Sequence, residues 1–376
     1  MIWEAAAALA DRTAHRSSRW RDPLARTPRH LFVPRWWEME EGRWTLREPA
    51  SDEEWLSAAY RDRSLITRIG PLHADRAKVD DHPTGRPTSS ATLPSLLVTM
   101  YRHARIDDGA TLLDVGTGSG YGTALAAHRL GSHAVTSVDI DGYLVQAARE
   151  RLDAIGLHPT VETVDATGPL PADAGQVDRI VATVAVRSIP TSWLTVLSPS
   201  GRLVTTLAGT SLLVTADKAA DGGAVGRVEW ERAGFMPARN GEDYPSVPSA
   251  LLAAAHDQDG EQVTTGPYPV VDVANAWDLD SMLGLTAPGI EHAYHQAGER
   301  RIAVMAHADG SWARATATGS ERPTVRQGGP RRLWDVLDEI RGYWLQHGEL
   351  PVRGARVRIM PDGRTRLARG TWHTTL

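Results

Sequence analysis

A strand-like apolar run that ends in closely spaced glycines is the feature that most constrains the fold of this chain. Leu112, Leu113 and Val115 form a short buried-strand pattern, and residues 116–122 read Gly-Thr-Gly-Ser-Gly-Tyr-Gly. Glycines at alternate positions let the backbone turn tightly and approach a ligand without a Cβ atom in the way. A helical pattern follows near 120–130. The segment is therefore typical of the first strand-to-helix turn of a ligand-binding α/β sheet.

Strand and helix patterns alternate over roughly 80–240. Strands are predicted at 111–115, 134–140, 160–166, 177–184 and 201–209, and helices near 120–130, 142–155 and 190–197. This alternation predicts βαβ units and a mainly parallel sheet. An Asp221-Gly222-Gly223 turn then predicts an antiparallel hairpin. The expected fold class is α/β, with a Rossmann-like sheet.

Composition excludes several classes of function. The 376 residues include 41 basic and 46 acidic ones and no cysteine, with a net charge of -5. This balance gives no broad basic surface, so no nucleic-acid partner is expected. The lack of cysteine excludes disulfides, thiolate zinc sites and cysteine nucleophiles. No apolar run of about 18 residues and no signal-peptide core are present, so we expect no membrane partner and a cytoplasmic location.

The glycine loop favours one kind of ligand by elimination. A third glycine of a dinucleotide fingerprint would fall at Tyr121, and the loop has no lysine for a phosphate-binding P-loop. Asp114, two residues before the first glycine, would repel a phosphate but suits a cationic ligand. Asp139 and Asp165 follow the next two predicted strands, where they can bind ribose hydroxyls and an adenine amino group. These acids also suit helix N-caps and turns, but three at successive strand ends predict S-adenosylmethionine.

Several segments resemble the protein L-isoaspartyl O-methyltransferases, in order and spacing, over about residues 25–240. They are TPRHLFVP (27–34), YRDRSL (60–65), the glycine loop, the strand before Asp165, VDRIVATVAVRSIP (177–190) and PSGRLVTTLAG (199–209). The resemblance implies an S-adenosylmethionine-dependent methyltransferase of the Rossmann-like class I fold. It also implies that the acceptor is a peptide or protein carboxylate.

The acceptor segment departs from that family. Where repair enzymes have Thr-Ile-Ser-Gln-Pro, aligning the prolines puts Ser90 on the threonine and Thr92 on the serine. The resemblance therefore implies that Thr92 and Ser90 are the catalytic hydroxyls, which hydrogen-bond the acceptor carboxylate. Helix capping before Pro94 is the alternative role for both. The alanine-rich acceptor loop is replaced by 183–187, where Arg187 is either a partner for a peptide acid or a solvated charge.

These departures resemble a peptide-maturase branch of the family, which accompanies ribosomally made peptides such as graspetides and lanthipeptides. The segments DEEWLSAAYRDRSLITRIG, TSSATLPSLL and GPRRLWDVLDEIRGYW are similar to the graspetide type. The branch implies methylation of an aspartate side chain and collapse of the ester to an aspartimide. The expected partner is a precursor peptide, with prior macrocyclisation by an ATP-grasp ligase left open. Repair of isoaspartate in damaged proteins is the alternative, and a non-catalytic peptide-binding subunit is a third.

The expected site and domains follow from these comparisons. The resemblance assigns cofactor binding to Asp114, Gly116, Thr117, Gly118, Gly120, Asp139, Ile140, Asp165 and Ala166, and substrate binding to Ser89, Val184, Ala185 and Arg187. We expect no metal, since His292 and His295 lack a third ligand. The predicted domains are a helical cap (1–80), the methyltransferase domain (81–240) and a small α+β extension for peptide recognition (241–376).

Overall fold

The computed structural model describes residues 1–170, 175–241, 244, 249–347 and 351–376. Its helices are α1 (Ile2–Thr13), α2 (Arg21–Arg26), α3 (Asp52–Ala59), α4 (Pro94–His103), α5 (Tyr121–Leu130), α6 (Gly142–Asp153), α7 (Thr191–Val196), α8 (Ser249–Ala254), α9 (Trp277–Thr286) and α10 (Leu333–Gln346).

The strands of the first half are β1 (Trp36–Glu40), β2 (Arg43–Arg47), β3 (Leu65–Ile69), β4 (Leu72–His73), β5 (Pro87–Ala91), β6 (Leu112–Val115), β7 (Val135–Asp139), β8 (Thr160–Thr163), β9 (Val177–Val186) and β10 (Leu197–Leu207). The strands of the second half are β11 (Leu212–Lys218), β12 (Ala224–Arg232), β13 (Gln262–Thr265), β14 (Glu291–Ala297), β15 (Arg300–Ala306), β16 (Trp312–Thr318), β17 (Thr324–Gly328), β18 (Arg356–Ile359), β19 (Thr365–Arg369) and β20 (Trp372–Thr375).

A ten-stranded sheet organises the molecule, in the order β20-β19-β18-β12-β11-β10-β9-β6-β7-β8. The strands from β10 to β8 are parallel, and those from β10 to β20 alternate in direction. All four residues of β6 are buried, because helices cover both faces of a parallel sheet. The predicted Rossmann-like α/β fold is confirmed.

The N-terminal region differs from the prediction. Strands β1 to β5 form a five-stranded sheet where 1–80 was expected to be helical. Strand β1 pairs antiparallel with β2 across a tight two-residue turn. Both residues of the turn, Glu41 and Gly42, have positive φ. That backbone matches the twist of a hairpin, so the expectation of helix over 36–47 and 65–73 is wrong. Helices α1, α2 and α3 are the α-helical part of the region.

The C-terminal region is joined to the central sheet. Strands β13 to β17 form their own antiparallel sheet, while β18, β19 and β20 return to extend the central one beyond β12. Leu333, Leu337 and Ile340 of α10 are buried, as their helical spacing predicts, and Trp344 packs at the edge. They belong to one apolar cluster that also contains Leu113 of β6. The extension and the central sheet therefore share a core.

Among the described residues, no helix is both long enough and apolar enough to cross a membrane.

Candidate active site

A cavity of about 310 Å³ opens at the carboxyl ends of the parallel strands. Strand β5 and the 234–239 segment that follows the β11–β12 hairpin complete its wall. Twelve predicted site residues line it: Ser89, Ser90, Thr92, Asp114, Gly116, Thr117, Gly118, Asp139, Ile140, Asp165, Ala166 and Val184. Three do not, namely Gly120, Ala185 and Arg187.

The glycine loop needs glycine for two physical reasons. Gly116 has a φ of 96°, and a Cβ atom there would lie 2.9 Å from Cγ1 of Val184. Gly120 has a φ of 88° and precedes α5, where a Cβ atom would lie 3.0 Å from that of Ala148 on α6. Gly116 thus keeps the cavity open, whereas Gly120 allows close packing behind it.

Asp114 lies beneath the loop rather than projecting freely. Its Oδ2 accepts hydrogen bonds from Oγ1 of Thr123 (2.7 Å) and Oγ of Ser137 (2.9 Å). Burial raises the pKa of Asp114 to about 6, although both hydrogen bonds oppose the shift. The carboxyl group therefore ties β6 to α5 and β7 beneath the loop.

Asp139 is oriented by backbone amides. Its Oδ2 accepts from the amide of Gly118 (2.9 Å) and its Oδ1 from that of Asp141 (3.0 Å). Burial raises the pKa of Asp139, against the effect of these two bonds. Each carboxylate oxygen has further lone pairs. The Asp139 carboxylate is thus held in place, and its remaining lone pairs can accept hydrogen bonds from two hydroxyl groups of a ligand.

Asp165 is less constrained and forms a local turn. Its Oδ1 accepts from the amide (2.9 Å) and Oγ1 (2.6 Å) of Thr167. The next carbonyl, of Ala166, accepts from Nε1 of Trp193 (2.7 Å), which closes this end of the cavity. Asp165, Ala166 and Ile140 therefore lie together at the side of the cavity formed by β7 and β8.

The two predicted catalytic hydroxyls belong to the part of the cavity lining formed by β5 and the segment that follows it. Ser90 is on β5 and Thr92 follows it, while α4 begins after Leu93 without a side-chain cap. Neither hydroxyl is therefore occupied in capping α4. Among the described residues neither has a hydrogen-bond partner, whereas neighbouring Ser89 accepts from Oγ1 of Thr67 (3.0 Å). Ser90 and Thr92 are thus residues of the cavity lining whose hydroxyls have no partner within the described chain.

The predicted acceptor loop contributes less than expected. Strand β9 continues to Val186, which buries the Ala185 side chain away from the cavity and leaves Arg187 exposed outside it. Only Val184 of the predicted substrate residues in this loop lines the cavity. Ala185 and Arg187 therefore lie outside the cavity lining, and their role in substrate binding stays a prediction.

The 234–239 segment replaces that loop and was missed by sequence reasoning. Its Phe235, Met236 and Arg239 line the cavity, as does Tyr244. The backbone of Ala185 holds it, since its amide donates to the carbonyl of Met236 (2.9 Å) and its carbonyl accepts from the amide of Ala238 (2.8 Å). The only sequence signal was an apolar, proline-containing stretch directly after a hairpin.

A buried cluster of charges, centred on Asp141, joins three parts of the chain beside the cavity. Oδ2 of Asp141 lies 3.3 Å from Nε of Arg68, 3.1 Å from Nε2 of His73 and 3.6 Å from Nη2 of Arg239. Burial opposes ionisation, but the hydrogen bond and charge of His73 and the charge of Arg68 hold the pKa of Asp141 well below its usual range. Its Oδ1 caps α6 through the amides of Tyr143 and Leu144.

Two groups of potential metal ligands lie outside the cavity. His292 and His295 are three residues apart on β14, so they point to opposite faces of the sheet, and His292 binds Asp280 instead. His103, Glu229 and Glu231 do converge. Arginines already supply their counter-charge, since Arg227 pairs with Glu229 and Arg102 with Glu231.

Comparison with known proteins identifies this arrangement. Residues 73–243 match the family model described as protein-L-isoaspartate(D-aspartate) O-methyltransferase. The chain is 32% identical over 186 residues to a protein-L-isoaspartate O-methyltransferase of Anaeromyxobacter dehalogenans, a match that covers 45% of this chain and 87% of the relative. An enzyme of the same name from Archaeoglobus fulgidus is 25% identical over 228 residues, 60% of this chain and 87% of the relative.

Another relative, from Bradyrhizobium sp., is 39% identical over 112 residues, and that match covers 30% of this chain but only about half (51%) of the relative. A solved structure of a protein-L-isoaspartate O-methyltransferase superposes with a TM-score of 0.51 at 15% identity. The superposition covers 100% of this chain and 99% of that one, and it shows the fold.

Proposed function

The chain belongs to the protein-L-isoaspartate O-methyltransferase family, and on that premise we propose that it transfers a methyl group from S-adenosylmethionine to an isoaspartyl carboxylate in a peptide or protein. The observation that carries the proposal is the cavity, which is lined by the glycine loop, Asp139, Ser90 and Thr92.

The residues present fit the cofactor. Asp139 is half-buried at a strand end, held by two amides and still able to accept from ribose hydroxyls. Gly116 leaves space that a Cβ atom would fill. Asp165, Ala166 and Ile140 are placed to bind the adenine. When bound, S-adenosylmethionine would supply a methyl group that is already electrophilic.

The acceptor needs positioning rather than activation. A carboxylic acid with a pKa near 4 is already ionised at neutral pH, so its oxygen can attack the methyl carbon without a general base. Ser90 and Thr92 can donate hydrogen bonds to the acceptor and hold one oxygen in line. Phe235 and Met236 add apolar wall that excludes water, which would otherwise compete for these hydroxyls.

A second candidate acceptor is the side chain of a normal aspartate in a ribosomally made peptide. One observation favours it: Thr92 and Leu93 replace the Ser-Gln of the repair enzymes. Residues 249–376 lie beyond the family match and are the candidate surface for recognising that peptide. The ester would lose methanol when the next backbone nitrogen closes a five-membered aspartimide ring. The partner would then be a precursor peptide recognised in part by the extension.

One experiment separates the two acceptors. The full chain and S-adenosylmethionine are incubated with two peptides of identical sequence, one with isoaspartyl-glycine and the other with aspartyl-glycine, and the products are followed by mass spectrometry. Methyl gain on the isoaspartyl peptide alone supports the first candidate. Methyl gain on the aspartyl peptide alone, followed by loss of methanol, supports the second. Calorimetry that detects no S-adenosylmethionine binding contradicts both.

A further inference from the structure

The part of the central sheet added by the C-terminal strands has one uncovered face rich in arginine. We name it the arginine face, and its residues are Val225 and Arg227 on β12, Arg356 and Arg358 on β18, and Arg366 on β19. The strand register places Arg227 directly opposite Arg356, and Arg358 directly opposite Arg366. Directly opposite residues in an antiparallel pair share a face, so the four guanidinium groups lie on one side.

Burial identifies this side as the outer one. The alternate residues of the same strands, including Ala224, Val357 and Leu367, are fully or almost fully buried against the shared core. Val225 is 50% exposed, and Arg356 and Arg366 are exposed. Helix α4 covers the neighbouring part of this face, where Nε of Arg202 donates to the carbonyl of His103 (2.6 Å).

The described residues balance only part of the charge on the arginine face. Arg227 pairs with Glu229 (2.9 Å) and Arg358 pairs with Asp221. Arg356 and Arg366 have no salt bridge to any residue that the structure describes. Like charges placed directly opposite each other on neighbouring strands are destabilising. Arg356 and Arg366 each lie opposite another arginine and keep an uncompensated charge on an open face, which favours an anionic partner.

We propose that the arginine face binds an acidic, extended segment of a polypeptide. Arginine presents a planar fork of donors that matches a carboxylate in two-point contacts. Neighbouring strands lie about 4.8 Å apart, so arginines on successive strands can bind carboxylates along one extended chain. A nucleic acid fits less well, because a chain with a net charge of -5 offers no broad basic surface to a phosphate backbone.

The arginine face also lies within reach of the cavity. Strand β12 leads from Arg227 to the cavity-lining Gly234, seven residues of chain and at most about 23 Å when extended. A polypeptide whose acidic segment lies about seven residues from the methyl acceptor could occupy both places. This last step rests on the proposed function, whereas binding to the arginine face does not.

The test measures peptide binding and needs no methyl transfer. A negative result would therefore contradict the arginine-face proposal and leave the proposed function unaffected. The probe is a fluorescein-labelled deca-glutamate peptide, titrated with the full chain at about 50 mM salt, where surface charges are weakly screened. The variant is R356Q/R366Q, which removes the two unbalanced charges and keeps the two salt bridges. The matched control is R300Q/R322Q, which makes the same charge change at exposed arginines in and beside the other C-terminal sheet.

We expect R356Q/R366Q to bind the peptide about tenfold more weakly and R300Q/R322Q to bind it as wild type does. The thermal midpoint of R356Q/R366Q should be unchanged or higher, because like-charge repulsion has been removed. Equal binding by wild type and R356Q/R366Q, or equal weakening in both variants, would overturn the proposal. Tighter binding of a labelled deca-uridylate than of deca-glutamate would replace it with a nucleic-acid surface.

Discussion

Replacing Asp141 with asparagine tests whether the buried charge cluster stabilises the molecule. The carboxylate and its three neighbours, Arg68, His73 and Arg239, have side chains at most 9% exposed. Asparagine keeps the size and the Oδ1 acceptor that caps α6, so Asp141→Asn removes the charge and little else. It leaves the guanidinium groups of Arg68 and Arg239 buried without this counter-ion.

The expected cost is large. At 3.3 Å and an effective dielectric constant of about 20, one Arg68–Asp141 contact is worth about 5 kcal/mol before desolvation. Removing one partner of a buried ion pair typically costs about 3–5 kcal/mol, and we expect Asp141→Asn to lower the free energy of unfolding by about that amount. Asp141→Ala should cost about 1 kcal/mol more, because it also removes the cap of α6.

The assay is urea unfolding at pH 7, followed by tryptophan fluorescence. Asp108→Asn is the control, since this exposed acid pairs with Arg129 at the surface and its replacement should change stability little. The pH dependence gives a second check. The pKa of Asp141 is lower in the folded state than its unfolded value near 3.9, so its carboxylate stabilises the fold at pH values above 3.9. This stabilisation is lost as the pH falls toward the folded-state pKa.

The difference between wild type and Asp141→Asn should therefore be constant from about pH 5 to 7 and should narrow below about pH 4. A loss under about 1 kcal/mol, or a difference that stays constant down to pH 3, would refute the argument that the ionised carboxylate holds the cluster together.

Three further predictions concern the cavity. Gly116→Ala should weaken S-adenosylmethionine binding, measured by calorimetry, at least about tenfold, because the added Cβ would lie 2.9 Å from a side chain. Gly209→Ala is the control and should keep wild-type affinity, since Gly209 also has a positive φ (74°) but no atom lies within 4 Å of the added Cβ. Asp139→Asn should weaken the same binding by about 1.5–3 kcal/mol, and unchanged affinity would remove Asp139 from the site. Ser90→Ala and Thr92→Val should lower kcat about tenfold in a methyl-transfer assay with cofactor affinity unchanged; loss of cofactor affinity in either would contradict a role in holding the acceptor.

The parts of the structure that sequence reasoning predicted are those determined by local patterns. Strand β6, the glycine loop and α5 follow one another within 112–130, and each has its own signal in burial, glycine spacing or helical periodicity. The stripe of Leu333, Leu337 and Ile340 likewise predicted the buried face of α10. In both cases the physical cause lies within a few residues of its effect.

The errors arose where distant contacts decide the structure. The β1–β2 hairpin was read as helical, although Glu41-Gly42 provides the two positive φ values that a tight hairpin turn needs. Ala185 does not line the cavity, because pairing of its backbone with Met236 and Ala238 turns its side chain into the core. No local pattern in the sequence joins Arg239 to Asp141.

The central sheet is completed by strands that are far apart in the chain. Strand β12 pairs with β18, in which Arg356 lies opposite Arg227. The two strands are therefore separated by about 130 residues of chain. At a translation rate of about 5–20 residues per second, the free edge of β12 waits roughly 6–26 s on the ribosome before its partner is made. An exposed strand edge can pair with other chains during that interval. Yield should therefore depend on chaperone supply and on growth temperature, and synonymous codon changes between β12 and β18 that slow synthesis should raise the aggregated fraction.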